Sequence, residues 1–176
     1  MPQNATAHAE TLGRTILSLL EAMGPFRRKG ERILADAGIA EVDPNAWYPL
    51  ATWVAVLRTI EKQIGPKTLE RAGRKIAEHA DLPPGVDSFD KLLAGFGIAY
   101  GMNNRGPNAG SISCTVLGDR RARIQFNTPY PCEFERGVVQ GFFSNFRDPN
   151  ARLLEMEHMD GCRDSGGTSC AYALTW

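Results

Sequence analysis

Three cysteines in the last third of the chain stand where their sulfurs could act together. Cys132 opens a helical stretch, "CEFERGVVQGFFSNF", and Cys162 and Cys170 lie eight positions apart around Gly166 and Gly167. The unpaired amides of a helix start favour a thiolate. If the glycine pair turns a hairpin, Cys162 and Cys170 are nearly opposite each other, equidistant from Gly166. Three converging thiolates suit a borderline cation, and zinc takes four ligands in a tetrahedron. His158 is the candidate fourth ligand by chemistry. Four residues along a regular strand span about 13 Å, so His158 reaches the sulfurs only if the chain bends at Gly161. Asp160, Glu157 or a water are the other options. The same spacing also fits reduced thiols in the core or a cross-strand disulfide. Cys114 alternates with Ile112 and Val116 and reads as a small buried hydrophobe.

Catalysis needs a positioned acid, base or nucleophile, and the sequence offers few. The histidines are His8, His79 and His158. His8 reads as solvent-facing, and His79 as a surface cation near a helix C-terminus, with haem ligation as its alternative role. There is no G-x-S-x-G nucleophile turn, no H-E-x-x-H and no G-x-G-x-x-G. "GPNAG" lacks the Gly-Lys-Ser/Thr ending of a phosphate loop. Glu155 and Glu157 share one strand face and are expected to point to water. No catalytic residue is assigned, and the reading leans away from an enzyme.

These residues need elements to hold them. The 176 residues carry 20 basic and 20 acidic side chains and are 43% hydrophobic, which fits one globular domain over 1–176. Zero formal charge argues against a nucleic-acid partner, whose phosphates demand a cationic surface. No apolar run has the length of a membrane span and no secretory leader is evident. The expected location is therefore cytoplasmic, with reduced thiols. Apolar residues recur at helical spacing up to about residue 102: Leu12, Ile16, Leu19, Leu20 and Met23 in a first helix over 9–24, then helices over 27–38, 50–65, 66–80 and 89–102. "DLPPGVDS" breaks the series with two prolines. From Gly110 the period becomes two. Strands are expected in "SISCTV" and "ARIQFN", joined by the turn "LGDRR", then the helix from Cys132, then strands in "RLLEMEHM" and "CAYALTW". The order predicts an α+β fold: N-terminal helices (1–102) packed on a four-stranded antiparallel sheet (110–176), with a helix between its second and third strands.

The run from "GSISCTVLGDRRARIQF" through "YPCEFERGVVQGFF" to "HMDGCRDSGGTSCAYALTW" resembles the 4-vinyl reductase-like domain, related in fold to TRAPP subunits and to haem-nitric-oxide-binding domains. That superfamily includes aromatic-sensing domains of bacterial activators, in which cysteines and a carboxylate hold a zinc beside an enclosed apolar pocket. The resemblance implies a zinc at Cys132, Cys162 and Cys170. Its carboxylate position, three residues before the first hairpin cysteine, is here Met159. It also implies a cavity between helices and sheet, with Trp53, Phe96, Tyr100, Phe126, Tyr130, Phe142 and Tyr172 as its expected lining and Asn103 as a further polar group. The same aromatics at helical and strand spacing read equally as core. Trp47 and Tyr48 could form a hinge or lid.

Three functions follow as expectations. The first is a small-molecule sensory or carrier domain for an apolar or aromatic ligand with a structural zinc, signalling through a partner protein or a homodimer. The second is a haem or other tetrapyrrole sensor, or an accessory to tetrapyrrole biosynthesis. The third is an interaction subunit of the TRAPP kind.

Overall fold

A computed structural model of the chain describes residues 9–146, 153–159 and 161–176. His8 and Asp160 lie outside the described residues. Among the described residues the architecture is α+β, with antiparallel sheets and six α-helices. The expected helices are α1 (Gly13–Ala22), α2 (Arg27–Asp36), α3 (Leu50–Gln63), α4 (Pro66–His79) and α5 (Phe89–Asn103). The expected sheet comprises β4 (Ser111–Gly118), β5 (Arg121–Asn127), β6 (Glu155–His158) and β7 (Cys170–Thr175) in the order β4-β5-β7-β6, with α6 (Cys132–Phe146) between its second and third strands.

One part was not anticipated. The first helix begins at Gly13 instead of Ala9, because Glu10–Leu12 forms a strand, β1, between β2 (Trp47–Pro49) and β3 (Asn104–Arg105). Trp47 and Tyr48 are therefore strand residues rather than a lid. The guanidinium of Arg105 sits 4.2 Å from the Trp47 ring centroid, a cation–π contact across this small sheet. Gly118 and Arg121 close the β4–β5 hairpin, with Arg120 at φ 52° in the two-residue turn.

Alternation decides which sheet face is covered. Ala122, Ile124 and Phe126 on β5 and Cys170, Tyr172 and Leu174 on β7 are buried, while Arg121, Arg123, Glu155 and Glu157 lie on the opposite, exposed face. Edge-on aromatic pairs fill the space under the helices, such as Phe89 against Phe143 at 5.1 Å, Phe89 against Trp176 at 5.2 Å and Phe96 against Phe142 at 5.6 Å. A second cluster, built around Trp53, Leu57, Leu69 and Phe134, joins α1, α3, α4 and α6. Cys114 is half-buried rather than buried, because β4 is an edge strand covered only by α5; burial pushes its thiol up to about 11.

Helices α4 and α6 touch backbone to backbone. A methyl group on Gly137 would overlap the carbonyl oxygen of Glu70, and one on Gly73 the carbonyl oxygen of Phe134. Neither neighbour is a side-chain tip that could swing away. Gly137→Ala is therefore expected to lower stability by about 1–3 kcal/mol, the usual cost of overpacking, despite alanine's better helix propensity. Urea unfolding would measure it; an unchanged or raised midpoint would contradict the contact.

Candidate metal centre and chamber

The structure brings the predicted donors together. The Cys132 sulfur lies 2.7 Å from that of Cys170 and 3.2 Å from that of Cys162, and Cys162 and Cys170 are 3.5 Å apart. With a ring nitrogen of His158, the four donor atoms all fall within 4.8 Å of one another. A tetrahedral zinc with Zn–S bonds of about 2.3 Å sets its sulfurs about 3.8 Å apart; the three sulfurs here lie closer than that, and the donors converge on one centre.

Local structure explains the convergence. Cys132 is the first residue of α6, on the buried face of that helix. Cys170 opens β7, paired with Phe126 of β5. Cys162 arrives by a route different from the expected cross-strand one. The strand pairing of β6 with β7 runs only to His158 opposite Tyr172, and the chain then bends at Gly161, with φ 89°, into a 3-10 turn at Arg163–Ser165. The amide of Gly167 donates to the Cys162 carbonyl at 2.8 Å and folds the loop back over the cluster. That bend is what lets His158 join. Its ring stacks on Tyr172 with centroids 4.6 Å apart, and the Tyr172 hydroxyl donates to the Cys132 carbonyl at 3.3 Å. Glu157, the other described candidate for a fourth ligand, is exposed on the outer sheet face opposite Ala173.

The electrostatics overturn the expectation that the helix start makes Cys132 the favoured thiolate, because burial outweighs the helix dipole there. Burial, and then the neighbouring thiols and Asp164, push the Cys132 thiol well above its ordinary value. Burial likewise raises Cys170. Burial also acts upward on Cys162, but hydrogen bonds from Cys132, the Asp164 amide and Cys170 outweigh it and hold this thiol below its ordinary value. Of the three thiols, Cys162 alone is eased toward the thiolate. Deprotonating all three at these separations calls for a cation.

Behind the sulfurs lies a chamber between α4, α5, α6 and the sheet. Its free interior, measured to the centre of a water-sized sphere, is about 60 Å³. Phe96, Tyr100, Phe126, Tyr130 and Phe142 line it as expected, together with the polar Asn103. Trp53 and Tyr172, expected in the same lining, are elsewhere. Trp53 is wholly buried and packs edge-on against Phe134 at 6.4 Å, and Tyr172 lies between the chamber wall and the sulfurs, edge-on to Phe126 at 6.1 Å. The phenols in the lining are tied up: Tyr100 donates to the Ala109 carbonyl at 2.5 Å and Tyr130 to the Asn104 side-chain oxygen at 2.6 Å. Burial raises both above the ordinary phenol range.

Sequence reasoning missed Glu135. This chamber-lining residue is 2% exposed, accepts a hydrogen bond from Thr128, and pairs with Arg163 at 2.5 Å. Burial pushes its carboxyl upward, while the Arg163 guanidinium and the Thr128 hydroxyl pull back toward the carboxylate, the form the close contact with Arg163 favours. The signal was available: Glu135 follows Cys132 by three positions and precedes Val139 and Phe142 by four and seven, so it shares their buried helix face.

No protein-family profile matches the chain, and no curated protein matches it. Its fold, however, is that of the H-NOX proteins. An H-NOX protein from S. oneidensis, solved in the Fe(II) ligation state, superposes with a TM-score of 0.70 at 14% identity, over 93% of this chain and 95% of that one. A point mutant of T. tengcongensis H-NOX gives 0.65 at 7% identity, over 93% and 96%. A structure described for haem redox potential modulated by porphyrin distortion gives 0.65 at 10% identity, over 93% and 94%. At these identities the likeness is one of fold.

Proposed function

We propose that the chain acts over 1–176 as one sensory unit that encloses a small apolar guest, with a zinc held by Cys132, His158, Cys162 and Cys170 bracing the chamber wall. The observation that carries this reading is the convergence of three sulfurs and an imidazole nitrogen on one centre, joined to the chamber wall through Tyr172, which packs on the lining Phe126 and donates to the Cys132 carbonyl. The zinc would supply a closed, structural cross-link among α6, β6, β7 and the loop between the two strands. Keeping its thiolates reduced suits a cytoplasmic setting. The signal would pass to a partner protein or a second copy by a shift in helix packing. The 4-vinyl reductase-like resemblance supports the same reading, because its motif residues are the three that meet.

A second reading, a tetrapyrrole sensor, is favoured by the fold likeness to proteins described with Fe(II) and with haem. The residues here do not fit that group. Among the described residues the chamber lining includes no His, Cys or Met. His79 lies at the surface at the end of α4, 2.8 Å from Glu21. The phenols Tyr100 and Tyr130 are hydrogen-bonded and hard to ionise. A free interior of about 60 Å³ is also small beside the 300–1,000 Å³ typical of cofactor-sized sites. The third reading, a TRAPP-like interaction subunit, calls for a filled interior, which the chamber does not favour.

Elemental analysis with an absorption spectrum of the untreated protein separates the first two readings. The expected result is about one zinc per chain and no Soret band. A Soret band lost on substitution of a histidine, with no zinc, would replace the first reading by the second.

A further inference from the structure

The buried ion pair between Glu135 and Arg163 joins the two parts of this site. Arg163 immediately follows Cys162, so any change in where that sulfur sits is passed to its side chain within one residue. Its guanidinium donates to the Phe126 carbonyl at 2.7 Å, to the Tyr130 carbonyl at 3.0 Å and to the Glu135 carboxylate at 2.5 Å. Phe126, Tyr130 and Glu135 all line the chamber. One planar fork thus grips the end of β5, the segment before α6 and the first turn of α6, and it projects from the loop that carries a metal ligand. The pair is the most enclosed ion pair among the described residues, with side chains 13% and 2% exposed. A guanidinium so placed has few alternative partners, so its position and the wall's position are set together.

We propose that Arg163, acting on Glu135 and the two carbonyls, is the positioning residue that couples the metal centre to the chamber, so that metal and guest bind with mutual dependence. This rests on the zinc and chamber reading above. Metal binding fixes Cys162, Cys162 fixes the fork, and the fork fixes three points of the chamber wall. By linkage a guest that prefers that wall geometry tightens the metal by the same factor.

Xenon serves as the guest probe, because apolar protein cavities take it up. The full chain is prepared with one zinc per chain and, after chelation, without it, and the xenon affinity of each form is read by NMR titration. The wild-type affinities are expected to differ by about fivefold or more, the lower end of ordinary allosteric coupling. Arg163→Lys keeps the charge but cannot hold all three acceptors with one planar group, and Glu135→Gln keeps the shape but loses the charge. Each variant is expected to bind zinc and to show a ratio below about twofold. Wild-type protein that binds zinc and xenon with no difference between forms would overturn the coupling and leave the metal reading standing. So would variants that keep the full wild-type ratio. Failure to bind zinc would overturn both, and xenon binding in neither form would overturn the coupling together with the chamber reading. A metal-free chain that has lost its near-ultraviolet circular dichroism would also overturn the proposal, since the dependence would then run through unfolding.

Discussion

Cys170→Ala is expected to abolish stoichiometric zinc binding and to lower the thermal midpoint of the zinc-loaded protein by about 10 °C or more. Cys170 is fully buried and its sulfur is the one nearest Cys132. A metal present at about a thousand times its dissociation constant contributes about 4 kcal/mol to the folded state, and each kcal/mol moves the midpoint of a chain this long by about 2–4 °C. Cys162→Ala should behave alike, because it removes another donor of the same set. Cys114→Ser is the control. Its side chain is half-buried on an edge strand, away from the other sulfurs, and its cost should stay within about 1 kcal/mol. Scanning calorimetry of all three variants with and without added zinc gives the comparison. Equal, small shifts throughout would remove the metal centre.

The second large effect concerns Glu135. Replacing it by alanine leaves the guanidinium of Arg163 enclosed without its carboxylate, and breaking a buried pair on one side costs about 3–5 kcal/mol. Asp87→Ala, which unpairs Lys91 at the exposed start of α5, should cost less than about 1 kcal/mol. Glu135→Leu should recover part of the alanine loss by filling the vacated volume with apolar atoms, although Arg163 stays unpaired. Denaturant midpoints at constant slope would rank the three variants. If Glu135→Ala costs no more than Asp87→Ala, the pair contributes nothing to folding.

The legible parts of this fold are those where a period or a residue type leaves one option. The alternation in "ARIQFN" and "CAYALTW" places two central strands correctly, and the helix expected to stop at Ala80, ahead of the prolines at 83 and 84, stops at His79. That Cys132, His158, Cys162 and Cys170 meet was legible from side-chain chemistry, with the bend at Gly161 as the required condition. The small sheet was not. A three-residue strand such as Glu10–Leu12 is too short to show a period, and its apolar residues continue into the helical stripe of α1. The chamber was half legible, because an aromatic residue announces its burial but not which side of it stays empty. Trp53 and Phe96 have the same helical setting in the sequence, yet packing against Phe134 closes the space beside one of them. The Glu135–Arg163 pair joins residues 28 positions apart and depends on a turn whose geometry only the folded loop fixes.

The glycine contact between α4 and α6 limits how the molecule can respond to a guest. Two helices whose main chains abut cannot slide without collision, so they form a single plank, and that plank supplies Ile76, Val138 and Phe142 to one side of the chamber. Any expansion to admit a guest must therefore be taken up opposite, by α5 and the edge strand it covers. Ile98 and Met102 are exposed on the outward surface of α5, the side of the chamber that this contact leaves free to yield.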